Sequence, residues 1–131
     1  MTQKYINTLS RTIRGAAIEL HKELGPGLLE SVYETAFCFE LEKRNIKYTR
    51  QQGIPVFYED TKLDLGFRSD IIIEGKLLIE IKSVAAIEKV FHKTVLTYLK
   101  HTNLKLGLLI NFNVNLIKDG IHRKILGQLL D

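Results

Sequence analysis

The chain has 131 residues, 45% apolar and 26% charged, and a net charge of +4. These values fit one domain over residues 1–131 with a single core, exclude a disordered chain, and permit a polyanionic partner without requiring one. The lone cysteine, Cys38, excludes an internal disulfide. No charged-then-apolar leader opens the chain and no apolar run approaches the ~20 residues of a membrane span, so the expected location is the cytoplasm, with no membrane partner.

Residues 3–24 read as a helix, with Ile6, Leu9, Ile13, Ala16, Ala17, Leu20 and Leu24 at three- and four-residue steps. Gly25-Pro26-Gly27 stops it; this element lacks the lysine and spacing of a phosphate loop. A second helix is expected from about Leu28 to Arg44, with Cys38 inside it as a small buried hydrophobe. From Tyr48 to Val84 the texture is that of strands. Ile54 to Tyr58 reads as a short strand that Pro55 assigns to an edge or a strand start, and Asp60-Thr61-Lys62 as a turn. Leu65–Ile73 and Leu77–Ser83 form the expected central hairpin around Glu74-Gly75. Their runs Ile71-Ile72-Ile73 and Leu77-Leu78-Ile79 are apolar on both parities, as in strands covered on both faces. Ile87–His101 is a further helix and Leu104–Phe112 a buried strand in which Gly107 permits a close approach. A short strand near Ile121–Ile125 and a frayed tail close the chain. The order of elements predicts an α/β or α+β domain with a mixed sheet.

Three ionisable residues, Asp70, Glu80 and Lys82, sit in or beside these apolar runs. Burying a charge costs several kcal/mol unless it is paired or bound to a metal. The spacing D-x9-E-x-K is that of a metal-dependent nuclease site. Two carboxylates suit the hard cations Mg²⁺ and Mn²⁺, which can polarise a phosphodiester and lower the pKa of their water. Lys82 would orient the attacking water or stabilise charge on the phosphate. Glu80 and Lys82 share a strand face. Asp70 joins them only under a geometric condition. A two-residue Glu74-Gly75 turn would pair Asp70 with Ile79 and point Asp70 and Glu80 to opposite faces. An odd loop or a bulge restores the match; a three-residue loop ending with Gly75 would pair Asp70 with Leu78.

Glu30, Tyr33 and Glu34 share one face of the second helix. Arg68 shares the strand face of Asp70 and could contact the scissile phosphate or neutralise the acids. Basic residues cluster at Lys43, Arg44, Lys47 and Arg50, and again at Lys118, His122, Arg123 and Lys124, as a solvated face or a phosphate track. The four histidines lack zinc spacing, and Ser83 lacks the context of a nucleophile.

Gly27-Leu28-Leu29-Glu30-Ser31-Val32-Tyr33 fits the pattern G-x-x-E-x-x-Y. With Arg68-Ser69-Asp70, Glu80-Ile81-Lys82, Tyr98-Leu99-Lys100 and Gly107-Leu108-Leu109-Ile110-Asn111-Phe112, the chain resembles the GxxExxY proteins, a branch of the PD-(D/E)XK nuclease superfamily, over nearly its whole length. The resemblance implies a restriction-endonuclease-like core, a mixed central sheet flanked by helices. It implies that Glu30 is the helix-borne acid of a catalytic site completed by Asp70, Glu80 and Lys82, with Asp70, Glu80 and Glu30 as ligands to Mg²⁺ or Mn²⁺. Arg68, Tyr33 and Lys93 are then the expected nucleic-acid contacts. The family pattern places a glutamine four residues before the tyrosine of the Tyr-Leu pair. Here that position is Thr94, too short for the same contact, which leaves it to a group such as Lys93 or His92. The expected activity is metal-dependent phosphodiester hydrolysis, with DNA the expected substrate. The alternatives are a non-catalytic nucleic-acid-binding module or a protein-interaction module on the same fold. So small a chain offers little surface for target recognition, which makes a homodimer or a partner protein an expectation too.

Overall fold

The computed structural model describes residues 3–127. Helix α1 spans Gln3–Leu24 and α2 spans Glu30–Lys43. In α1 the three- and four-residue spacing becomes one buried stripe of Ile6, Leu9, Ile13, Ala16, Ala17 and Leu20. Gly25, in the left-handed region at φ +73°, ends it by donating its N–H to the carbonyl of His21 at 2.8 Å. The chain then runs through extended Leu29 into α2 at Glu30, two residues later than the apolar pattern suggests.

Seven strands follow: β1 (Tyr48–Ile54), β2 (Phe57–Tyr58), β3 (Thr61–Lys62), β4 (Phe67–Ile73), β5 (Leu77–Lys82), β6 (Leu106–Asn111) and β7 (Ile121–Ile125). Helix α3 (Lys89–Thr102) lies between β5 and β6. Five strands form one sheet in the order β1-β4-β5-β6-β7, and β2 and β3 form a separate ribbon. Only β5 and β6 run parallel, joined by the α3 crossover that parallel neighbours need. The result is a mixed sheet flanked by helices, the restriction-endonuclease-like architecture expected.

The doubly apolar runs of β4 and β5 are explained by burial on both faces. Ile71, Ile73, Leu77, Ile79 and Ile81 pack with Leu106, Leu108 and Ile110 beneath α1 and α2. On the other face Ile72, Leu78 and Leu109 pack with Val95 and Leu99 of α3. Gly107 sets that second contact: a Cβ there would meet Val95 Cγ1 at 2.9 Å.

Two expectations need correction. The strand expected over 54–58 is split, because Pro55 cannot continue the ladder: Ile54 ends edge strand β1, and Phe57-Tyr58 starts the ribbon. The turn lies one step earlier than Asp60-Thr61-Lys62, at Glu59-Asp60, both with positive φ, leaving Thr61-Lys62 as a strand. The tail expected near Leu130 lies outside the described residues.

Candidate active site

The β4–β5 hairpin meets the condition of an odd loop, with a register of its own. Ile73 pairs with Leu77 and Ile71 with Ile79, so the loop is Glu74-Gly75-Lys76 and ends at Lys76 rather than at Gly75. Glu74 and Gly75 both have positive φ, and the Lys76 N–H closes the turn on the Ile73 carbonyl at 2.9 Å. Extending the register sets Asp70 opposite Glu80, not Leu78. The two carboxylates therefore share a sheet face, the one on which α3 packs.

Backbone pairing between β4 and β5 stops at Ile71–Ile79, and side chains take over. The Asp70 N–H donates to Glu80 Oε1 at 3.3 Å, and the Ile81 N–H donates to Asp70 Oδ2 at 2.8 Å. Beyond this point β4 stays with β1 and β5 with β6, so the sheet forks at the acids. Glu80 is only 7% exposed. Burial, then the charge of Asp70, pushes its carboxyl up to about 8; the Asp70 N–H and Lys82 oppose that rise. Asp70 is also raised, chiefly by burial. Neither acid forms an ion pair among the described residues. Lys82 forms none either; its ammonium sits 4.9 Å from the centre of the Phe91 ring, on α3. The closed Glu80–Lys82 pair of a purely structural ion network is not formed.

Helix α2 contributes its acids unequally. Glu30 is exposed at the start of α2, near enough for its charge to raise Glu80. Glu34 is buried, accepting from Arg50 Nε on one oxygen and from Gln51 Nε2 at 2.8 Å on the other. Gln51 Nε2 also reaches Asp70 Oδ1 at 3.3 Å. Sequence reasoning missed Gln51, and it reads Tyr98 as part of the Tyr98-Leu99-Lys100 motif without giving it a place at the site. Gln51 lies in a polar stretch with no apolar periodicity, so nothing in the sequence marks it. Tyr98 stacks on Phe67 with ring centres 4.1 Å apart, and its hydroxyl is pushed up by burial and then by the charges of Glu80 and Asp70.

The other expected residues divide. Tyr33 is corrected as a nucleic-acid contact: it is 0% exposed, stacked on Phe112 at 4.7 Å, and its hydroxyl donates to the Gly25 carbonyl at 2.6 Å while accepting from the Leu28 N–H. It therefore holds the loop that delivers Glu30. Arg68 is exposed and donates to the Gln51 carbonyl at 2.9 Å. Lys93 is exposed on α3. Thr94 spends its hydroxyl on the Val90 carbonyl of its own helix. His92 faces His122 of β7, ring centres 5.0 Å apart, rather than joining the contacts around the acids. Ser83 donates to the Leu28 carbonyl. In the first basic cluster, Lys43 and Arg44 pair with Glu19 and Glu40, and Arg50 with Glu34. Neutralised in this way, those three cations form a structural brace and not a free phosphate track.

A cleft of about 470 Å³ is walled by Glu30, Ser31, Ser83 and Asn113 among others; Asp70, Glu80 and Lys82 are not part of its wall. Among the described residues no group of three or more His, Cys, Asp or Glu is drawn close enough to hold a metal ion. The donor set that does converge is the pair Asp70 and Glu80, hard oxygens that repel each other. It fits a hard divalent cation that keeps several waters, as Mg²⁺ does.

A forked mixed sheet with two unpaired acids and a lysine at the fork is the arrangement of a nuclease-like domain. The family model described as the PD-(D/E)XK nuclease superfamily matches residues 7–124, and the chain belongs to that superfamily. Its nucleases generally use divalent metals. Neither the curated proteins nor the solved structures gave a match. Among the described residues no helix is long and apolar enough to cross a membrane.

Proposed function

We propose that this protein is a nuclease that hydrolyses phosphodiester bonds with Mg²⁺ or Mn²⁺, acting on DNA, and that it sits in the GxxExxY branch of its superfamily. The observation that carries this reading is the fork at Asp70 and Glu80: a half-buried and a buried carboxylate on one face, with no ion pair among the described residues, beside a lysine that has none either. Asp70 and Glu80 hold the metal, and Glu30 at the mouth of the cleft supplies a further acid. A bound divalent ion supplies Lewis acidity toward the phosphate and counter-charge for the two acids. Lys82, with no carboxylate neutralising it, swings from Phe91 to the attacking water or to the charge that builds on the phosphate. Arg68 and Lys93 hold the flanking backbone.

The test is cleavage of single- and double-stranded DNA and RNA with Mg²⁺ and Mn²⁺, comparing wild type with Asp70→Ala and Lys82→Ala. Loss of cleavage in both variants is the expected result; equal residual activity in all three proteins overturns the proposal. The binding-only reading draws on one observation, the engagement of Thr94 within its own helix where the family pattern has a reaching glutamine. Salt-sensitive binding without cleavage, equal in wild type and Asp70→Ala, is the outcome that selects it.

A further inference from the structure

Gln51 is a strained polar residue at the fork, and the reading above gives it no role. It lies within strand β1 at φ +53°, in the left-handed region that a non-glycine residue adopts only at a cost. The β1–β4 register pairs Arg50 with Ile71 and Gln52 with Ser69, which sets Gln51 opposite Asp70, yet those two residues do not pair. Asp70 is thus the point at which the ladder is interrupted toward both of its neighbours, β1 and β5. The amide of Gln51 fills the gap. One Nε2 lies 2.8 Å from Glu34 Oε1 and 3.3 Å from Asp70 Oδ1. An amide NH₂ has two hydrogens, one for each carboxylate. A glutamate there would add a third negative charge, and an arginine would neutralise the acid a metal needs. Arg50 holds the second oxygen of Glu34, and Arg68 holds the carbonyl of Gln51.

We infer that Gln51 is a positioning residue for the metal site: its strained backbone aims a neutral donor at Asp70 Oδ1, fixing that carboxylate against the Glu34–Arg50 brace. Glu34, with both oxygens engaged, anchors this chain of contacts and is not itself a metal ligand, which leaves Glu30 as the acid of α2 that is free to join. The inference rests on the proposed metal site. It separates two effects that a purely structural glutamine would tie together. Glycine at position 51 relieves the left-handed strain but removes the donor; asparagine tolerates the same φ and keeps an amide on a shorter arm.

The experiment is Mn²⁺ titration, by calorimetry and by cleavage rate, of wild type, Gln51→Gly and Gln51→Asn, with melting curves in EDTA. Gln51→Gly is expected to melt at or above the wild-type temperature while its half-saturating Mn²⁺ rises roughly tenfold. Its maximal rate recovers at saturating Mn²⁺, and Gln51→Asn falls between the two. Unchanged half-saturation in Gln51→Gly, with wild type binding Mn²⁺, overturns this inference alone. So does a fall in melting temperature that accounts for the weaker binding and that Gln51→Asn shares. Wild type that binds no Mn²⁺ overturns both this inference and the metal site on which it rests.

Discussion

At one end of the β4–β5 pair, Ile71 to Ile73 face Leu77 to Ile79 in an unbroken ladder, dry on both sides of the sheet. At the other end, one residue further along each strand, Asp70 and Glu80 bond to backbone N–H groups and the strands part. The change comes within a single pleat. The apolar end gains from every atom it buries and has nothing left to bind. The polar end sets a buried Glu80 against a half-buried Asp70, two acids that repel each other when both are ionised and that form no ion pair among the described residues. A stable anchor beside an uncompensated cluster is what holds reactive groups in place, since the ladder fixes the acids' positions without neutralising them.

The sharpest way to break this comparison is to truncate one residue from each end. Asp70→Ala or Lys82→Ala is expected to lower Mg²⁺-dependent cleavage by about 10²–10³-fold. Melting temperature should hold or rise in Asp70→Ala, because a half-buried charge that repels Glu80 has gone. Ile79→Ala, fully buried at the dry end, is expected to lower stability by about 2–5 kcal/mol through the lost burial and the cavity. Chemical denaturation measures this, and cleavage per folded molecule should stay close to wild type. A large stability loss in Asp70→Ala would mean that the acids hold the fold together.

The pH dependence separates the two ends in a second way. Burial and the neighbouring Asp70 push the Glu80 carboxyl up to about 8, from the ordinary glutamate value of about 4.5. Between those values the folded protein binds a proton that the unfolded chain has lost, so stability falls as pH rises through about 8. Glu80→Gln removes that slope and is expected to be the more stable protein at pH 9, by an amount on the order of a few kcal/mol. Added Mg²⁺ should raise the melting temperature of wild type more at pH 8.5 than at pH 6, because metal binding needs the deprotonated acids. Glu80→Gln should lose most of that response. Melting curves in EDTA and in Mg²⁺ at the two pH values decide the matter.

The dry end was readable in the sequence because burial on both faces leaves a plain mark, apolar residues at both parities. The acids stood out for the same reason, as charges where the pattern demanded none. What stayed hidden was set by geometry that composition does not carry. Strand β1 is an edge with five consecutive exposed residues, Thr49 to Gly53, and shows no alternation. The loop register depended on whether Lys76 belongs to the turn or to the strand, a choice on which Glu74-Gly75 is silent. Gln51 owes its place to a left-handed φ inside a strand, which no propensity predicts. Tyr33 misled for another reason: a tyrosine on one helix face with Glu30 reads as part of the site until burial shows that it faces inward.

The mildest prediction concerns that tyrosine. The Tyr33 hydroxyl sits between the Gly25 carbonyl and the Leu28 N–H, and its ring lies against Phe112. Tyr33→Phe keeps the stacking and leaves two backbone groups of the loop without this partner, a cost of about 1–3 kcal/mol if water does not replace it. Because the loop delivers Glu30 to the cleft, looser anchoring should weaken metal response slightly and leave the salt dependence of DNA binding unchanged. Arg68→Ala is expected to do the reverse. Losing the phosphate contact proposed for Arg68 should lower the slope of log affinity against log salt by about one. If Tyr33→Phe changes the salt slope and Arg68→Ala does not, the nucleic acid approaches from the α2 face, and the polar end of the β4–β5 pair is not where the substrate lies.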